Sequence, residues 1–195
     1  MERSLGFYYP SALSSQTGYL RDHVLLEFGV RNSVEPCEAR DMLPLLSSMD
    51  VEVEFQKTRV NVLSPIRTFW EKATLIHVEC HRGRLLKTPD RLSRHWYDLA
   101  MLSNSWVFNK AFEQREVLLN VIEHKKAFFA ASYTNYDACL NGSFKLVPAD
   151  IELKSLSDDC QLMMKAGMFA SAPPQFDQLI HVLSQLEEKI NGDVA

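Results

Sequence analysis

Two short stretches of this chain concentrate the side chains that could do chemistry. Arg91, Arg94, His95 and Asp98 fall at i, i+3, i+4 and i+7, so on a helix all four project from one face. Two guanidinium groups, an imidazole and a carboxylate on one stripe suit gripping a phosphate while the carboxylate orients or deprotonates a second group. The same spacing also describes a solvated helix face with i,i+4 pairing, which on pattern alone is the commoner outcome. Lys72 lies on the preceding apolar segment, about 100° from the centre of its apolar stripe. Leu75 and Val78 make the back of that segment apolar too, so the lysine needs a partner, and Glu79 and Asp98 are the candidates. A surface lysine laying its stem along the helix is the plainer alternative.

Other constellations are weaker. His77-Val78-Glu79-Cys80-His81 places two imidazoles at i,i+4, but a helical metalloprotease motif needs Glu directly after the first His, where Val78 stands. With Cys80 added the set is a stray zinc site at most, against a core pair. Gly142-Ser143 followed by Asp150-Ile151-Glu152 imitates a glycine-serine and paired-acid signature, yet the gap is too short and Pro148 interrupts it. Asp50, Glu52 and Glu54 could line one strand face for a cation, although solvent-facing alternation is far commoner. Phe128, Phe129, Tyr133 and Tyr136 could stack on bases; a helical aromatic cluster is more often core.

These residues must be held by elements the pattern suggests. The stretch Leu5–Asp22 has no sustained period and reads as loop. His23–Arg31 is a near-continuous apolar run with one acid, Glu27, which predicts a strand buried on both faces. Asp50–Leu63 alternates at first and predicts a half-exposed strand or hairpin. After Pro65 the chain is mostly helical. Ile66, Phe69, Trp70, Ala73, His77 and Cys80 form the apolar face of a first helix; Asp90 is the expected N-cap of a second, Arg91–Ser103. A third is expected from Trp106 through the twenties, extended by the aromatic run. After the Asn141-Gly142 turn and an extended piece at Phe144–Val147, two more are expected near Leu153–Met168 and Gln175–Asn191, separated by Pro173-Pro174. The fold class is therefore α+β, with residues 1–64 contributing part of a sheet and residues 65–195 a helical domain.

The chain has 195 residues, 46% hydrophobic and 24% charged, in the range of a globular protein. A net charge of -4 supplies no basic field that would announce nucleic-acid binding, though a local patch can act within an acidic chain. Four scattered cysteines without a C-x-x-C pair, and no apolar leader over Met1–Leu13, are expected of a reduced, cytoplasmic protein; no run is long enough to cross a bilayer.

The two chemistry-bearing stretches also carry a family resemblance. Pro65-Ile66-Arg67-Thr68-Phe69-Trp70-Glu71-Lys72 continuing to His77, followed by Arg91-Leu92-Ser93-Arg94-His95-Trp96-Tyr97-Asp98-Leu99, resembles the R-T-F-W-E-K and R-x-x-R-H-x-x-D-L blocks of the AbiEii/AbiGii nucleotidyltransferase toxins. The resemblance continues in Leu25-Leu26-Glu27-Phe28-Gly29-Val30-Arg31, in Gly142–Pro148 and in the closing helices, from about Val24 to Asn191. It implies a nucleotidyltransferase fold with an appended helical domain, acting as the toxin of a toxin–antitoxin or abortive-infection phage-defence pair. It implies transfer of a nucleotidyl group from a nucleoside triphosphate, with Mg²⁺, to an acceptor that in some members is a tRNA end. Carried over by position, Lys72 would contact the triphosphate and Asp98 would be the essential acid. Arg94 and His95, with Arg91, would hold phosphate or acceptor, and Glu27 would lie near the metal. The family's lysine- and glycine-rich block and its D-x-D strand find no match before Glu27. The chain is accordingly expected to correspond to the C-terminal two-thirds of the family. A separately supplied first half, a non-enzymatic remnant, and an antitoxin- or RNA-binding module are the alternatives to an active enzyme.

Overall fold

Ser64 starts the helical part of the chain. Its hydroxyl accepts the amide of Ile66 at 3.3 Å, and Pro65 occupies the first helical position, where its missing N–H costs nothing. Helix α1 (Pro65–Arg82) follows, and its expected apolar face is buried throughout: Phe69, Trp70, Ala73 and His77 are fully enclosed, with Ile66 and Cys80 nearly so. Around it the computed structural model places α2 (Ser93–Ser103), α3 (Trp106–Glu113), α4 (Glu116–Phe128), α5 (Asp150–Lys165) and α6 (Phe176–Gly192). The structure describes residues 3–10, 19–21, 23–29, 31, 33–50, 52–82, 91–169 and 172–192; Gly83, Pro89 and the expected cap Asp90 lie outside them.

Helix α1 packs against α2, α3 and α4, while α2 also meets α5 and α6. One apolar core results, with Trp70, Trp96, Leu99, Ile122, Leu156 and Leu183 at its centre. The single long third helix expected after Trp106 is two, α3 and α4. The aromatic run does not extend α4, which stops at Phe128.

Helix α2 has no cap from its own N-cap residue, Leu92. The cap comes instead from α5. Buried Asp159 accepts the amides of Arg91 at 3.1 Å and Ser93 at 2.8 Å, the Ser93 hydroxyl, and the Tyr19 hydroxyl at 3.2 Å. A carboxylate there meets both the orphan N–H groups and the positive end of the helix dipole.

The extended piece Phe144–Val147 has no strand partner among the described residues, and side chains complete its backbone. Asn191 both accepts from the Phe144 amide at 2.7 Å and donates to the Phe144 carbonyl at 3.0 Å. His77 Nδ1 accepts the Lys145 amide at 3.0 Å, Glu187 accepts the amides of Leu146 and Val147, and Trp96 Nε1 donates to the Leu146 carbonyl.

The strands form two separate antiparallel ladders. β1 (Arg3–Tyr8) pairs with β2 (His23–Phe28), from Arg3 opposite Phe28 to Tyr8 opposite His23. β3 (Cys37–Met42) pairs with β4 (Thr58–Leu63). Three expectations change. Residues 5–8, read as loop, belong to β1 and supply β2 with a neighbour. β2 is not buried on both faces: Val24, Leu25, Leu26 and Phe28 are exposed. The strand expected over Asp50–Leu63 is confined to Thr58–Leu63; Asp50, Glu52 and Glu54 are exposed outside it, and Val51 lies outside the described residues. The β3–β4 ladder is tied to α1 by the Arg67 guanidinium, which donates to the Glu35 carbonyl at 2.8 Å.

Candidate active site

Packing α1 against α2 brings three of the expected residues together. Lys72 on α1 donates to Asp98 Oδ2 at 2.5 Å and lies 3.1 Å from His95 Nδ1, one turn away from Asp98 on α2. Since an ammonium only donates, Nδ1 is the acceptor and the imidazole proton sits on Nε2. Burial, reinforced by the charges of Lys72 and Arg94 and opposed by Asp98, lowers the His95 pKa to about 4. At neutral pH His95 is thus an uncharged ring that holds the lysine from one side and offers an N–H on the other. Asp98 is the more open of the ion pair, at 43% exposure against 21% for Lys72.

Arg94, on the same helix, is exposed, and its charge is felt by both His95 and Tyr19. Arg91 is not on the α2 stripe. It precedes the helix with φ +61°, its guanidinium lies 5.6 Å from the Tyr19 ring centre, and it donates to the Tyr19 carbonyl. Glu27 stands exposed on β2 opposite Ser4 and does not line the cavity beside Lys72.

That cavity has a volume of about 950 Å³, the size of a small-molecule site. Lys72, His95, Glu71 and Lys125 line it together with Phe128, Phe129 and Tyr133. Glu71 and Lys125 were not singled out from sequence. Glu71 receives Arg67 at 3.1 Å and Lys125 at 3.3 Å, and Lys125 also donates to the Glu71 carbonyl. Burial lowers the Lys125 pKa and Glu71 opposes the shift. Adjacency of Glu71 to Lys72 was the available signal; Lys125 lay in a charged run with no periodic cue.

The histidine pair on α1 is structural. His77 is fully buried, its Nδ1 accepts the Lys145 amide and its Nε2 donates to the Asn135 carbonyl at 3.1 Å, so neither nitrogen is left for zinc. Among the described residues no group of three or more His, Cys, Asp and Glu side chains could hold a metal ion. The nearest carboxylates are taken, Asp98 by Lys72 and Glu71 by Arg67 and Lys125. A divalent cation is what nucleotidyl transfer suggests, and the described residues alone do not make its ligand set. Among them no helix is long and apolar enough to cross a membrane.

No curated protein and no solved structure matches the chain. A family model does, over residues 2–182: the nucleotidyl transferase AbiEii toxin of type IV toxin–antitoxin systems. With nearly the whole chain covered, and with Lys72 and His95 lining one cavity and Asp98 paired to Lys72 beside it, this protein belongs to the AbiEii nucleotidyl transferase toxin family.

Proposed function

We propose that the chain takes part in transfer of a nucleotidyl group from a nucleoside triphosphate to an acceptor hydroxyl, an RNA end such as that of tRNA, as the toxin paired with a cognate antitoxin. The observation that carries this reading is the Lys72–Asp98–His95 cluster at the edge of a nucleotide-sized cavity. In such a transfer the acceptor oxygen bonds the α-phosphorus, the bond to pyrophosphate breaks, and the hydroxyl proton must leave. Positioning and charge neutralisation do most of the work. Lys72 would turn from Asp98 to the phosphates and neutralise them. Asp98, released from its ion pair, is then a carboxylate free to orient or deprotonate the acceptor. His95 keeps the lysine aimed and, through Nε2–H, can donate to a phosphate oxygen, with Arg94 adding charge at the rim. Arg91 acts by holding the Tyr19 segment against α2, and Glu27 is given no step. The helical part, residues 65–195, thus carries the phosphate-binding half of the site.

The test is transfer of label from each α-labelled triphosphate to bulk tRNA, with and without Mg²⁺. Transfer by the unaltered chain that disappears in Lys72→Ala and in Asp98→Asn supports the reading. Wild-type transfer in either variant, or none by the unaltered chain, goes against it. A second reading, an interaction module, is favoured by the exposed apolar residues of the β1–β2 ladder, because open edges and apolar faces invite pairing. Absence of transfer together with capture of an antitoxin or RNA would select it.

A further inference from the structure

The phosphate chemistry uses only part of the cavity's lining. Phe128, Phe129 and Tyr133 also line it, exposed by 50%, 42% and 36%. Three aromatic rings left open on one concave surface are unfavourable in water unless something covers them. They are also held in place. The Phe129 carbonyl accepts the Tyr136 hydroxyl at 3.4 Å, and Thr134 closes a turn on the Ala131 carbonyl through its amide at 3.2 Å and its hydroxyl at 2.9 Å. Buried His77 donates to the Asn135 carbonyl. Arg82 fixes Tyr133, donating to its hydroxyl at 3.1 Å while its guanidinium sits 4.9 Å from the ring centre. Rings presented on a pinned backbone lose little freedom when a ligand arrives.

We infer that these rings form a nucleobase subsite: the base of the nucleoside triphosphate stacks on Phe128, Phe129 and Tyr133 while its phosphates reach Lys72 in the same cavity. The inference rests on the transferase reading and deepens it. The cavity that Lys72 shares with the rings selects the donor nucleotide, since one molecule with an aromatic end and a polyanionic end suits both kinds of lining residue. Stacking is tolerant of base identity because every base has a π-face, so the rings set affinity for a nucleotide rather than choice among the four.

The test is calorimetric binding of each nucleoside triphosphate, of inorganic tripolyphosphate and of a short RNA 3′-end oligonucleotide to the unaltered chain, to the Phe128→Ala/Phe129→Ala double variant and to Lys72→Ala. Loss of two stacking rings should weaken triphosphate binding on the order of tenfold or more and leave tripolyphosphate unchanged. Phe129→Trp guards against misfolding of the double variant. It should keep nucleotide affinity, and its added fluorescence should be quenched by triphosphates but not by tripolyphosphate. Equal nucleotide affinity in the double variant, with Lys72→Ala weakened, would overturn the subsite and leave the transferase reading standing. So would a double variant that loses only a short RNA 3′-end oligonucleotide, which would assign the rings to the acceptor. If the unaltered chain binds neither nucleotide nor tripolyphosphate, the transferase reading fails first and the subsite with it.

Discussion

Replacing Asp159 by Ala should loosen the helix that carries half of the candidate site, although Asp159 touches none of the residues placed there. The carboxylate is 3% exposed and accepts four hydrogen bonds, two from backbone amides at the start of α2 and two from the hydroxyls of Ser93 and Tyr19. Loss of a helix cap costs about 1 kcal/mol. Each hydroxyl bond to a charged acceptor contributes roughly 1.5 kcal/mol. Relief from burying the carboxylate offsets part of that sum, so a net loss of about 3 kcal/mol is expected. Urea unfolding followed by far-ultraviolet dichroism should show it as a lower midpoint at unchanged slope. Asp159→Asn, which keeps one acceptor oxygen, should lose about half as much. Because His95 lies in the first turn of α2, amide exchange at residues 93–96 should accelerate in the Ala variant before the rest of the helical core. A loss below about 1 kcal/mol, with exchange in that turn unchanged, would refute the tertiary cap and the reasoning built on it.

Three further outcomes are expected. His77 has its folded-state pKa lowered to about 4, first by burial, so the unfolded chain binds the extra proton between about pH 6.5 and 4. Stability is therefore complete above about pH 6.5 and falls as pH drops toward 4; His77 contributes on the order of 3 kcal/mol of the fall and His95, lowered alike, adds to it, so a urea series should find the slope reduced but not abolished in His77→Gln. Glu187→Ala strands the amides of Leu146 and Val147 and should cost about 2–3 kcal/mol in the same assay, with Glu187→Gln closer to 1. Asp98→Asn breaks a partly exposed ion pair, so stability should change by less than about 1 kcal/mol while nucleotidyl transfer is lost; a large loss of stability would mark Asp98 as structural.

Much of the helical part was legible without coordinates, because helical periodicity is a local property. Ile66, Phe69, Trp70, Ala73, His77 and Cys80 recur at helical spacing, and all are buried. Pro65 and the Pro173-Pro174 pair marked boundaries for equally local reasons, and the two blocks around Lys72 and Asp98 named the family that the match over residues 2–182 shows. The β region was less legible. Residues 3–8 form a strand because β2 offers a hydrogen-bonding edge, and no composition rule over six residues encodes that edge.

Tertiary structure decided what spacing could not. Lys72 meets Asp98 across 26 positions and His95 across 23, a pairing set by how α1 and α2 pack. Arg91 shares the i+3 and i+4 pattern, yet it lies outside α2, because Asp159 caps the helix at Ser93 and Arg91 turns back to Tyr19 with positive φ. The Phe144–Val147 segment read only as a short extended piece, whereas its polar groups are satisfied by side chains from 40 or more positions away. Sequence patterns report which face of an element is apolar. Which polar partner reaches a buried amide or ammonium depends on contacts that exist only once the core has closed.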